Sequence, residues 1–94
     1  MSYQLLYSET SRKQIRKLHP QIKPLVKSKI EGLSENPFSG KCLEKELSGY
    51  LAMQANRFRV IYRIRDDDQT LEIHYIGHRK NIYELFKEAI AKSK

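Results

Sequence analysis

Polar and apolar residues alternate most strictly along Arg57-Phe58-Arg59-Val60-Ile61-Tyr62-Arg63-Ile64-Arg65. In an extended chain successive side chains point to opposite faces, so this run predicts a strand with two unlike sides. Phe58, Val60, Tyr62 and Ile64 form an apolar row fit for a core. Arg57, Arg59, Ile61, Arg63 and Arg65 form the other row, cationic but for one isoleucine. A row of guanidinium groups is stable only where it meets water, carboxylates or phosphates.

The same reading supplies the other elements. Tyr3 to Tyr7 alternates and predicts a short strand. Ser8 is placed to cap a helix, with Glu9 in the first turn to suit the dipole. Ile15, Leu18, Ile22, Leu25, Val26, Ile30 and Leu33 then recur at helical spacing. His19-Pro20 breaks that stripe, which predicts a helical hairpin over roughly residues 9–18 and 21–35. Arg12, Lys13, Arg16, Lys17, Lys23 and Lys27 form its solvated outer face. Asn36-Pro37-Phe38-Ser39-Gly40 is loop chemistry, and Lys41 to Gly49 has no clean period. Tyr50 to Ala55 is extended again, and Asn56-Arg57 is a tight turn into the arginine strand. An acidic turn, Asp66-Asp67-Asp68-Gln69, leads to a strand from Thr70 to Ile76. Asn81, with Glu84 three residues on, resembles a capping box for a last helix whose face is Ile82, Leu85, Phe86, Ala89 and Ile90.

Pairing these strands predicts what shares a surface. If Arg65 meets Thr70, Arg63 lies opposite Glu72, Ile61 opposite His74 and Arg59 opposite Ile76. A two-residue turn at Asn56-Arg57 sets Gln54 opposite Arg59. With Leu71, Ile73 and Tyr75 toward the core, the open face collects Ala52, Gln54, Arg59, Arg63, Glu72 and His74. His78, Arg79 and Tyr83 stand at its rim, where a helix start favours an anion. Arg63 is expected to have a partner in Glu72; Arg59 is expected to have none.

Length and charge narrow the classes. With 94 residues the chain predicts one domain, 1–94, with a single modest core. A formal charge of +7 and a pI near 9.6 suit a polyanion or an acidic protein partner. Cys42 stands alone, which excludes a disulfide framework and a cysteine-based metal site and points to a reducing cytoplasm. His19, His74 and His78 lack ligand spacing with any carboxylate cluster, so neither metal nor cofactor is expected. Met1 to Tyr7 has no charged start followed by a long apolar run, so neither a signal peptide nor a membrane span is expected. What the residues themselves give is a basic sheet face with a candidate anion site. His78 is equally suited to a cap or packing role, Tyr83 to partial burial, and the arginines to solvation or pairing. Chemistry on a phosphodiester is the functional alternative. Cleaving RNA through its 2′-hydroxyl needs a base, cations to hold charge on the phosphate, and an acid for the leaving oxygen. Arg59 and Arg79 supply fixed charge, His78 is a residue type able to take or give a proton, and Tyr83 can donate a proton or stack a splayed base.

Phe58 to Ile64, the acidic turn, and Ile76-Gly77-His78-Arg79-Lys80-Asn81-Ile82-Tyr83 together resemble the RelE/ParE superfamily of bacterial toxins. The upstream order of strand, helical hairpin, Glu35-Asn36-Pro37 and Leu47-Ser48-Gly49-Tyr50 is similar along the whole length. The resemblance implies an α/β (α+β) domain: a twisted, mainly antiparallel four-stranded sheet, the helical hairpin on one face, and a short C-terminal helix. It implies a toxin of a type II toxin–antitoxin pair, a ribosome-dependent, metal-independent mRNA endonuclease acting in the ribosomal A site. A cognate antitoxin would neutralise it, and the two together would bind operator DNA. By position, Arg59, Arg79 and Tyr83 match the family's site, His78 would transfer protons, and Gln54, Arg57, Arg63 and Lys80 would contact the RNA phosphates. Ala52 and Gln54 stand where strong RelE nucleases carry cations, which leaves two other readings: a ParE-like gyrase inhibitor without RNA chemistry, and a basic partner that merely accepts an acidic antitoxin segment.

Overall fold

A computed structural model describes residues 2–92; Met1 and residues 93–94, the ends of the expected domain, lie outside the described residues. The chain runs β1 (Gln4–Tyr7), α1 (Glu9–Arg16), α2 (Lys23–Leu33), a 3-10 turn (Pro37–Ser39), β2 (Lys41–Cys42), a second 3-10 turn (Lys45–Leu47), β3 (Leu51–Ala55), β4 (Phe58–Arg65), β5 (Thr70–His78) and α3 (Ile82–Lys92). Among the described residues the sheet has five strands, not four, in the order β1-β5-β4-β3-β2. β2 is the added strand. At two residues it is too short to show a period, and its pairing with β3 alone defines it. β1 runs parallel to β5, while the other neighbours are antiparallel.

The hairpin of helices forms where the sequence places it. Ser8 caps α1 by accepting the Ser11 amide at 3.0 Å, and its hydroxyl donates to the His74 carbonyl. Ser11 is fully buried, and its hydroxyl lies 2.9 Å from the Ile73 carbonyl and 3.0 Å from that of Ser8. That satisfaction lets a polar residue sit between helix and sheet. Val26, Ile30 and Leu33 of α2 pack on Leu51, Ala55, Val60, Tyr62, Leu71, Ile73 and Ile76.

The opposite face is not open at its centre. Ile61, the one apolar residue of the arginine row, is fully buried with Leu47, Ile82 and Phe86. α3 and the second 3-10 turn thus cover the middle of β4. The pairing of β4 with β5 shifts at this point: Ile61 faces Tyr75 and Tyr62 faces Ile73, leaving His74 as the extra residue of a bulge. The bulge corrects the predicted register beyond Glu72. Arg59 faces Gly77 rather than Ile76, and Ile61 faces Tyr75 rather than His74. Tyr75 therefore joins the α3 cluster instead of the hairpin core, while Ile76 takes the core position.

Two polar clusters fix the rest. Tyr62 is fully buried; its hydroxyl donates to the Pro37 carbonyl at 2.7 Å and accepts the Gly40 amide at 3.1 Å. These bonds hold the loop that delivers β2. Gly40 is required there, since a Cβ would lie 2.9 Å from the Ala52 carbonyl oxygen and collide with the Tyr62 hydroxyl. At the other end of β4, Arg65 bridges Asp68 at 3.3 Å and Glu72 at 3.2 Å, and His74 Nε2 lies 3.0 Å from Glu72. Glu72 faces Arg63 across the ladder as expected. Its carboxylate is nonetheless taken by Arg65 and His74, and the Arg63 guanidinium instead lies 5.9 Å from the centre of the Tyr50 ring.

Tyr62→Phe keeps the ring and removes the oxygen that serves both Pro37 and Gly40. It is expected to lower unfolding free energy by roughly 1–3 kcal/mol in urea denaturation, with an unchanged denaturant slope. For Glu72, burial alone would push the carboxyl up, but the hydrogen bonds from His74 and Arg65 outweigh it and hold the group below its ordinary value of 4.5. A depressed carboxylate adds stability above that ordinary value and loses it as pH falls through the folded one. Melting temperatures of the wild type and Glu72→Gln should therefore differ at neutral pH and converge under acid.

Candidate nucleic-acid interface

Two rows of side chains run across the α3 side of the sheet. The first is Lys41, Ala52, Ile61 and Tyr75, one residue from each of β2, β3, β4 and β5. The second, two residues along, is Gln54, Arg59 and Gly77. Ile82, the first residue of α3, lies over Gly77: a Cβ there would sit 3.3 Å from its side chain. The helix can start so close to Arg59 only because β5 has no side chain at that point.

Arg59 is half-buried between exposed Gln54 and the start of α3. Its Nη1 donates to the Phe58 carbonyl at 3.4 Å, a long and weak bond. The Arg79 amide donates to the Arg57 carbonyl at 2.8 Å, carrying the ladder one residue beyond β5. Arg59 on β4 and Arg79, the first residue beyond β5, therefore hold diagonal positions, a separation of about 7–8 Å between Cα atoms where such a pair keeps ladder geometry. Among the described residues neither takes part in an ion pair. Two cations this close, with no carboxylate between them, repel each other and favour an incoming anion.

The other expected site residues divide. Tyr83 follows Ile82 on α3, is half-buried against the Ile61 cluster, and lines a cleft of about 270 Å³ beside Lys41, Leu43, Leu47 and Lys87. Arg63 does not join Arg59. Buried Ile61 stands between them, and four residues of strand set them about 13 Å apart. Arg57 is exposed in the turn that begins with Asn56 at φ 60°, and Lys80 is exposed in the turn after β5.

His78 faces away from Arg59. It pairs with Phe58, whose side chain packs on the hairpin core, and the two rings lie 5.8 Å apart. Its Nδ1 accepts the Lys80 amide at 3.2 Å, so in the neutral ring the proton sits on Nε2. Strict alternation to the end of β5 places His78 and Gly77 on opposite faces, which is what the structure shows. Lys41 and Lys87 are the cations that the sequence reading missed. Lys87 was findable, being one helical turn beyond Tyr83, whereas nothing local marks Lys41. Among the described residues, no three His, Cys, Asp or Glu side chains converge in a way that would hold a metal ion.

Residues 5–83 match the family model described as the ParE toxin of type II toxin–antitoxin system, parDE. The chain is 34% identical over 85 residues to Toxin RelG of Mycobacterium tuberculosis, covering 88% of this chain and 98% of RelG. Its fold superposes on the toxin–antitoxin complex RelBE2 from the same organism with a TM-score of 0.79 at 33% identity, over 84% of this chain and 93% of the other. A free mutant of the E. coli toxin RelE gives the same TM-score at 21% identity over 98% of each chain, a likeness of fold alone. Matched over most of its length by a family model and by a mycobacterial toxin, with the element order expected of such a fold, the chain belongs to the RelE/ParE superfamily of type II toxin–antitoxin toxins.

Proposed function

We propose that this toxin is a ribosome-dependent mRNA endonuclease acting in the cytoplasm. The observation that carries the reading is the pair Arg59, on β4, and Arg79, just beyond β5, beside the Tyr83 helix and, among the described residues, without carboxylate partners. The 2′-oxygen attacks the adjacent phosphorus and the bond to the 5′-oxygen breaks, leaving a 2′,3′-cyclic phosphate and a 5′-hydroxyl. Negative charge grows on the phosphate as this occurs, and the two guanidinium groups hold it. The 2′-hydroxyl proton passes to water, the Tyr83 phenol protonates the leaving oxygen, and the phenolate takes a proton back from solvent. Gln54, Arg57 and Lys80 stand at the exposed margin, suited to phosphates on either side. In this reading the ribosome rather than the toxin orients the message. Arg63 lies outside this group.

His78 serves this site by position. Its Nδ1 holds the Lys80 amide, and its ring braces the turn on Phe58, which together fix the backbone that presents Arg79.

A cognate antitoxin is the natural protein partner, since the mycobacterial RelBE2 toxin was solved in complex with one. The +7 charge suits an acidic segment laid across the toxin. Operator DNA would be bound by the pair together. The ParE description of the matching family model, with uncharged Ala52 and Gln54 on the strand, favours a second reading, an inhibitor that binds DNA gyrase without cutting RNA. Inducing the toxin and following translation and replication in parallel separates the two. Messages cut at A-site codons support the nuclease; a DNA-damage response with intact transcripts replaces it with the second reading.

Arg59→Ala and Arg79→Ala are each expected to slow cleavage on programmed ribosomes by roughly 10- to 150-fold, the loss of one charge-assisted contact. Melting temperatures should stay unchanged, and full toxicity in the double variant would remove both residues from the mechanism. For His78, the Ala variant should lose roughly 2- to 10-fold, the worth of one hydrogen bond, and the Asn variant, which restores an acceptor, should recover most of it. Losses of about 10²- to 10⁴-fold in both variants would instead make His78 a proton-transfer group.

A further inference from the structure

The cleft between β2 and α3 lies on the far side of Tyr83 from the start of the helix, and no function so far accounts for it. Its walls come from separate parts of the chain: Lys41, Cys42, Leu43 and Glu44 from the edge strand and the residues after it, Tyr83 and Lys87 from α3. Both lysines are exposed. Lys41 is in no ion pair among the described residues, and Lys87 has only Glu46 at 4.0 Å, a distance at which two exposed side chains hold each other weakly. Lys41 pairs across the ladder with Ala52, in the row adjoining that of Arg59. Two strands sideways and two residues along, its Cα lies about 12 Å from that of Arg59. A long, flexible lysine shortens that gap considerably.

Building on the nuclease reading, we infer that this cleft is a second phosphate subsite, in which Lys41 and Lys87 hold a phosphate neighbouring the one gripped by Arg59 and Arg79. An RNA strand would then cross the sheet from the β5 end toward the β2 edge, passing Tyr83 between its two cationic ends. Cations approaching from β2 and α3 give β3 its missing charge from outside, so an uncharged Ala52 costs the site less than the strand alone implies. Lysine suits such a task, being a point charge on a mobile stem that follows a backbone without fixing a base. Glu44 lines the same cleft and opposes this binding, which gives the proposal a second sign to test.

The test uses the intact toxin and a short single-stranded RNA methylated at every 2′-oxygen, which binds but offers no attacking hydroxyl. Its dissociation constant is measured across a range of salt concentrations. Each phosphate contact of a single strand contributes about 0.7 to the log–log salt slope. The double variant Lys41→Gln,Lys87→Gln should bind more weakly and lose about 0.7 from that slope, the share of the one phosphate that the two lysines hold. Lys17→Gln,Lys29→Gln, which removes the same charge from the helical hairpin, should leave the slope as it was. Glu44→Gln should bind more tightly than the wild type. If Arg59→Gln weakens binding while the cleft variants leave the slope intact, the subsite is overturned and the nuclease reading stands. If the wild type binds no RNA at any salt, the subsite is overturned, while the nuclease reading is decided separately by cleavage on programmed ribosomes.

Discussion

Burial of β4 on both faces at its centre is the constraint from which the rest follows. Ile61 and Tyr62 are adjacent, point to opposite sides, and are both fully buried. One is covered by α3 and the 3-10 turn at Leu47, the other by the helical hairpin and the Pro37–Gly40 loop. Each burial is worth about 1.5–3 kcal/mol from apolar area, so the strand cannot slip by one residue without putting an arginine in the buried place of Val60 or Tyr62. Register is thereby locked, and the arginines are forced to the strand's two ends.

Those ends then take different roles. At the turn between β4 and β5, Arg65 meets Asp68 and Glu72, and Arg63 lies over Tyr50, so charge there is absorbed by the fold. At the other end Gly77 stands opposite Arg59, Ile82 covers that glycine, and among the described residues no carboxylate pairs with the guanidinium. The contrast comes from where the acidic residues fall in the chain. Asp66, Asp67, Asp68 and Glu72 all cluster at one end of the hairpin, leaving the other end cationic. A single arginine row is thus divided into a structural half and a half free to meet an anion.

α3 connects the two halves. Phe86 packs edge-on to Tyr50 at 5.0 Å and lies 6.3 Å from His74, closing over the structural half. Ile82, Tyr83 and Lys87 border the free half and the cleft beside it. Because one helix rests on both, a change in its seating would alter Tyr83 and the aromatic cluster together. The bulge at His74 serves the same arrangement, since it turns Tyr75 toward Phe86, with ring centres 5.5 Å apart, while returning Ile76 to the hairpin core.

The local pattern alone determined the strands and helices with clear periods, the Ser8 cap, the turn at Asn56-Arg57, and the pairings of Gln54 with Arg59 and of Arg63 with Glu72, because each depends on residues close in sequence or on one turn. The family resemblance was legible in the same stretches. Tertiary structure decided what periodicity cannot carry. A two-residue strand has no period, so β2, and with it Lys41, came into view only when paired with β3. A bulge adds one residue without a local marker, so Tyr75 and Ile76 exchanged the faces that strict alternation gave them. The covering of Ile61 separated Arg63 from Arg59, and the pairing of His78 with Phe58 turned its ring from the face where sequence adjacency to Arg79 had placed it. Alternation tells which side of its own strand a residue takes; only packing between elements tells what lies on that side.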